Sequence, residues 1–405
     1  MPIGPKLAVM NPTDKSPPHL LTLILLTAIS VLALNMFLPS LHSISVDLAA
    51  DYALVNLSVA GFLAITAVLQ LIIGPVSDRY GRRPVLLFCI ALFMLASFGA
   101  MLASNIWVFL AFRVLQAGVI AGGALSRAIV RDIAEPREAA RLLGIIAMAM
   151  AIAPMLAPLV GGILDELFGW RATFLFLGLG GAIILGLTFF DLGETNRRKS
   201  RSFADQFKGY GDLFRSRAFW GYTFTVGWSV GSFYAFLSGA PILARSVLDL
   251  SPSGVGLFIG AITGGFFCGS FLSGRFAGRG QLSDIILVGR FFACAGPLGG
   301  IVLVSLGIVS LPVILVSVVS VGFGNGLTMP SANVGTMSVR DDLAGSASGL
   351  SGAISVGLGA LISGLTGAVV TAENAAYSVL ALMFTTAFLG LIAVLVARSD
   401  RTLVA

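Results

Sequence analysis

The 405-residue chain is 57 % hydrophobic and only 11 % charged, with a mean hydropathy of +0.97. A soluble domain carries about 25 % charged residues, and no water-soluble fold of this length hides so much apolar surface. The net charge of +6 points to membrane orientation and not to nucleic acid, because the basic residues lie in short segments between apolar runs and no soluble domain remains to hold a polyanion.

Lipid is therefore the solvent. A helix that crosses it takes about 20 apolar residues. Such runs lie at 20–42, 54–75, 84–104, 106–131, 141–164, 172–192, 218–240, 253–276, 284–307, 311–333, 344–370 and 376–397. They predict twelve transmembrane helices and an all-α membrane protein. No cleavage pattern follows the first run, so it is expected to be retained. Trp107 and Trp170, at the ends of runs, are expected as interfacial anchors.

Charge orients the chain. With the N-terminus in the cytoplasm, the outer loops hold only Arg171 and Arg245, and Arg113 lies within the fourth run. The other basic residues, Arg290 and the cluster Arg197, Arg198, Lys199 and Arg201 among them, are assigned to cytoplasmic segments. Both termini are then expected in the cytoplasm of a bacterial inner membrane. The longest loop divides the chain into an N-terminal six-helix bundle (1–192), a cytoplasmic basic linker (193–217) and a C-terminal six-helix bundle (218–405). Two like-handed halves form a parallel repeat with a site between them at mid-membrane.

Four segments carry the chemistry. The first run contains Leu34-Asn-Met-Phe-Leu-Pro-Ser-Leu41. After the second comes Gly74-Pro-Val-Ser-Asp-Arg-Tyr-Gly-Arg-Arg83, expected as a short loop in which Gly74 and Gly81 permit tight turns and Asp78 needs a cation. A degenerate echo, Gly274 to Arg279, follows the eighth run. The fourth run carries Arg113 with Gln116 and Gly118 three and five residues on, and ends at Asp132. An arginine deep in a span marks a cavity or a partner. The fifth run carries Pro154 and Pro158 on one face, then Gly161 and Gly162; each proline removes a backbone hydrogen bond.

The 74–83 spacing resembles the signature loop of the major facilitator superfamily, and the first run resembles the Bcr/CflA drug-resistance branch. The resemblance implies two six-helix bundles in the major facilitator fold. It implies a gating latch built from Gly74, Asp78, Arg79, Gly81, Arg82 and Arg83, with Asp132 as partner. Arg113 resembles the coupling arginine of proton-coupled facilitators, and the Pro154–Gly162 stretch resembles the exporter motif, with Ala157 in place of its glycine. The implied function is efflux of small amphipathic compounds, phenicol- or bicyclomycin-type drugs included, in exchange for protons by alternating access. The alternative is a carrier for a small metabolite.

One departure from the family pattern stands out. The branch has an aspartate where this chain has Asn35, and an amide cannot carry a proton. None of the acids sits at the centre of a run. A cavity with a cation and no carboxylate suits neutral or anionic compounds. Candidate cavity groups are Asn35, Phe37, Gln70, Gln116, Trp228, Phe233, Tyr234, Asn325 and Asn333. The two histidines and three scattered cysteines point to no metal, and no cofactor or catalytic cluster is expected. A monomer is expected, since no single helix shows a clean dimer face.

Overall fold

The computed structural model describes residues 18–196, 210–276, 281–339 and 343–398. Every regular element among them is helical, as lipid requires of a chain that must satisfy its backbone within each segment. The long helices are α1 (Leu20–Asp47), α2 (Tyr52–Tyr80), α3 (Arg82–Met101), α4 (Ile106–Ile133), α5 (Pro136–Phe168), α6 (Arg171–Asp191), α7 (Arg217–Ser246), α8 (Pro252–Phe276), α9 (Leu282–Ser305), α10 (Leu311–Met337), α11 (Ala344–Val369) and α12 (Ala375–Arg398). Eleven are long and apolar enough to cross a membrane. The twelfth, α5, runs 33 residues. Phe88, Leu95, Phe190, Leu257, Phe271 and Val316 are exposed along the flanks, as side chains bathed in lipid are. The expected stretches 197–209, 277–280 and 340–342 lie outside the described residues, with them the basic cluster and Arg279.

Two helices are interrupted. In α1 the α-helix stops at Asn35 and a 3-10 turn, Leu38–Ser40, leads into Leu41–Asp47. Pro39 has no N–H to give, and the Ser40 N–H turns to the Phe37 carbonyl at 2.9 Å. The Met36 carbonyl is thereby left open to a neighbouring helix. In α4 the 3-10 turn Ala117–Val119 joins Ile106–Gln116 to Ile120–Ile133.

Three expectations are corrected. The 74–83 segment is not a loop: α2 continues through Gly74 and Pro75 to Tyr80, and the break is Gly81 alone, with φ +107°. Only glycine adopts that backbone without strain. Arg290 is not on a cytoplasmic segment; it lies within α9 and is fully buried. Trp170 is no interfacial anchor. It is buried, packs edge-on against Phe109 and Phe174, and donates to Asp47 at 3.3 Å. Trp107 is exposed, as an anchor would be.

Across the middle of the chain α2 packs against α11, and α5 against α8. These pairs form the seam between the two halves.

Candidate functional site

Call the near face the one where α1 begins and α12 ends, and the far face its opposite. At the far face the seam is sealed. Asn56 Nδ2 on α2 donates to the Ser363 carbonyl on α11 at 2.6 Å. Tyr52 donates its hydroxyl to the Ser238 carbonyl on α7 at 2.7 Å. The Ser253 N–H at the start of α8 donates to Glu166 on α5 at 3.1 Å. Glycine lets the helices touch: a Cβ on Gly162 would collide with the Pro252 carbonyl, and one on Gly256 with that of Pro158. A Cβ on Gly161 would overlap the open Met36 carbonyl. The 154–162 stretch thus closes the far face through backbone contact that any side chain would block.

Toward the near face the seam parts. Gly74 on α2 and Gly349 on α11 have nothing within 4 Å of where a Cβ would stand.

Between seal and opening lies a cavity of about 250 Å³. Pro154 of α5 forms its N-half wall. Val230, Phe233 and Tyr234 come from α7, Thr263 and Phe266 from α8, Asn325 and Met329 from α10, and Val356 from α11. Three polar side chains stand in an otherwise apolar wall, the pattern of a site for a small amphipathic ligand. Larger crevices, one on the outer side of the α5–α8 seam beside α10 and one along α8–α9–α10, are walled by exposed flank residues such as Leu156, Leu257 and Val288, so both open outward.

Of the sequence candidates, Phe233, Tyr234 and Asn325 line this cavity. Asn35 does not: it is buried and its amide donates back to Val31 in its own helix at 2.8 Å. Phe37 lies fully buried over Arg113. Gln116 is buried within the N-half. Gln70 reaches toward Gly352 across the seam. Trp228 packs beside Gly390, and Asn333 is exposed. Thr263, Phe266 and Met329 were missed, because no spacing within α8 or α10 says which face meets the other half.

Arg113 is fully buried and does not line the cavity. Its Nη1 donates to Gln116 at 2.6 Å and to the Ala33 carbonyl at 3.1 Å, and Gln116 donates to Ser97 at 2.7 Å. Nε and Nη2 have no hydrogen-bond partner. The guanidinium lies over the rings of Phe37 (3.9 Å) and Phe62 (4.8 Å), whose negative faces stabilise it in place of a carboxylate. Arg290 repeats this arrangement in the C-half: Nε donates to Thr328 at 3.1 Å, Nη2 to Asn325 Oδ1, and the Asn325 amide donates to Ser232 and to the Ser229 carbonyl. Its signal was present in the sequence, since it falls inside the ninth apolar run.

At the near face Arg82 binds both Asp78, at 2.6 Å, and Asp132, at 3.2 Å, and donates to Ser77. Arg83 donates to the Phe189 carbonyl at 2.9 Å. Arg79 lies against Tyr80. Sequence reasoning missed Glu194, just past α6. Its carboxylate accepts from the N–H groups of Arg82 (2.9 Å) and Arg83 (3.3 Å), capping the positive end of α3.

The model of the Major Facilitator Superfamily matches residues 23–364. The chain belongs to the Major Facilitator Superfamily. Within that superfamily it is 34 % identical to the uncharacterized MFS-type transporter YdgK of Bacillus subtilis, over 95 % of this chain and 96 % of the relative. It is 31 % identical to multidrug resistance protein D of Escherichia coli, over 85 % and 87 %. It is 34 % identical to a chloramphenicol resistance protein of Pseudomonas aeruginosa, over 64 % and 61 %. Such relatives agree with the Bcr/CflA-type resemblance of the first span. The fold matches that of a bacterial homolog of the human lysosomal transporter Spinster, with a TM-score of 0.71 at 17 % identity over 94 % and 96 % of the two chains. This major facilitator is a multi-pass membrane transporter.

Proposed function

We propose that the chain exports small amphipathic compounds, phenicol- or bicyclomycin-type drugs among them, from the cytoplasm in exchange for protons. The observation that carries the reading is the mid-membrane cavity at the seam, apolar but for Tyr234, Thr263 and Asn325 and sealed at one face only. A site reached from one side at a time is the structural basis of alternating access. Relatives named for multidrug and chloramphenicol resistance support the substrate class.

The near face is assigned to the cytoplasm of the bacterial inner membrane, with both termini there, and the structure is then open inward. The bundles are assigned as 1–192 and 218–405, joined by the 193–217 linker, in a monomer. Arg82, Asp78 and Asp132 form the near-face latch. Coupling is assigned to Arg113 and Asp132, since Asn35 holds no proton. The exported compound and the proton pass through the same seam in opposite directions.

The test is accumulation of chloramphenicol and of a cationic dye in pump-deficient bacteria expressing this chain, with and without a protonophore. Lower chloramphenicol accumulation, abolished by the protonophore, is expected. Unchanged accumulation removes drug export and makes the chain a metabolite carrier; lower accumulation that the protonophore leaves intact removes proton coupling alone.

A further inference from the structure

Among the described residues three charged side chains are buried: Arg113, Arg290 and Asp165. Asp165, near the far end of α5, is held by Ser43 at 2.8 Å. Arg113 lies over the rings of Phe37 and Phe62 and is not part of the cavity wall. Arg290 differs. It sits about 12 Å along α9 at 1.5 Å per residue, fully buried, with Nη1 lacking any hydrogen-bond partner and, among the described residues, no carboxylate in ion-pair contact with it. Its Nη2 is bonded to Asn325, and Asn325 forms part of the cavity wall. One amide side chain therefore separates an unneutralised guanidinium from the ligand space.

The amide is fixed by three partners. Oδ1 accepts from Arg290, and the Nδ2 hydrogens go to the Ser229 carbonyl (3.0 Å) and the Ser232 hydroxyl (3.1 Å), while Thr328 steadies the guanidinium from the next turn of α10. Both amide hydrogens are spent inside the C-half. What Asn325 leaves for a ligand is the remaining lone pair of Oδ1, set against a positive background. Arginine keeps its proton in such surroundings, and the apolar wall does little to screen it.

We propose that Arg290, acting through Asn325, is the positioning residue that sets the charge class of the transported compound. The cavity takes neutral or anionic molecules with a hydroxyl to give to Asn325, and it rejects cations. This deepens the export reading and rests on the same cavity.

The test uses one skeleton in three charge states: chloramphenicol, its anionic hemisuccinate ester, and the cationic amine left when its dichloroacetyl group is removed. Binding to the purified full chain in detergent is measured for each. The neutral and anionic forms are expected to bind within a fewfold of each other, and the amine at least tenfold more weakly. Asn325→Asp pairs the guanidinium with a carboxylate and cancels its charge, with the Ser232 hydroxyl turning to donate. The amine should then gain at least tenfold relative to chloramphenicol. Arg290→Lys keeps the charge and loses the grip on Asn325. Cation rejection should survive while chloramphenicol binding falls severalfold.

Equal binding of all three forms by the unmodified protein overturns the proposal with no variant needed. An Asn325→Asp protein that weakens all three forms alike overturns it too, since a purely structural arginine would do only that. Failure to bind any form sinks the proposal and the phenicol reading together. Charge preference without drug export in cells leaves the proposal standing for a carrier of another compound.

Discussion

The carboxamide of Asn56 on α2 donates to the main-chain oxygen of Ser363 on α11 at 2.6 Å, joining the two halves where the far face is sealed. Beside it a Cβ on Gly367 would collide with the Asn56 side chain, so the hydrogen bond and the close approach depend on each other. Asn56→Ala removes a buried bond worth about 1 kcal/mol. A shift of about fivefold toward the far-open state should follow. A cysteine at Phe233 should then react several times faster with a maleimide that cannot cross the membrane, added from the far side. An unchanged rate would show that the seal does not depend on this bond.

Gly162 and Gly256 pack backbone to backbone against Pro252 and Pro158. An added methyl at either site cannot be absorbed by a flexible side chain, because the obstacle is a carbonyl. Gly256→Ala should push α8 from α5, cut transport by at least tenfold, and leave the protein foldable with raised far-side labelling of the Phe233 cysteine. Gly264→Ala, on the same helix with open space around it, should transport normally. Equal loss from both substitutions would contradict the seam reading.

Arg82 bridges Asp78 and Asp132, and only a planar guanidinium reaches both with two nitrogens. Arg82→Lys should reduce transport severalfold despite the retained charge. Asp132→Asn should do the same, and the two together should cost little more than either alone, since they break one interaction. Additive losses would assign the residues separate roles. Transport in proteoliposomes measures all three.

Arg113 is held by Gln116, the Ala33 carbonyl and two aromatic faces. Arg113→Met keeps the volume but strands two buried acceptors, a loss of about 1–3 kcal/mol for each. The melting temperature should fall by several degrees. Chloramphenicol binding should stay within about threefold, because the cavity is elsewhere, while protonophore-sensitive export is lost. Export that survives the substitution would remove Arg113 from coupling.

Glu194 caps α3 through the Arg82 and Arg83 N–H groups. Glu194→Ala should lower stability by about 1 kcal/mol and weaken transport, since the cap places Arg82 for its two aspartates. Glu194→Gln retains an acceptor and should recover most of both.

Much of the molecule was readable from residue order. Twelve apolar runs of spanning length admit only helices in lipid, and each falls on one of the helices observed, several of which run about a turn or more past the expected edge. A cation for Asp78 was expected because a carboxylate near lipid needs one, and Arg82 supplies it; Asp132, the second carboxylate on Arg82, was expected only from the resemblance to the signature loop. Arg290 was legible in principle and misplaced in practice: a basic residue two turns from a helix start resembles one anchored at the interface until its neighbours are known. The 74–83 segment was mistaken for a loop because glycine and proline mark turns in water, whereas in a bilayer the helix continues wherever its backbone has no other partner.

Hydropathy, period and charge are properties of neighbouring residues, so the helices, the membrane and the place of Arg113 deep in α4 follow from the chain alone. Which face of each helix meets the other half depends on contacts between residues hundreds of positions apart. Only tertiary packing set Asn325 between Arg290 and the cavity, and brought Gly162 against Pro252 to close one face and leave the other open.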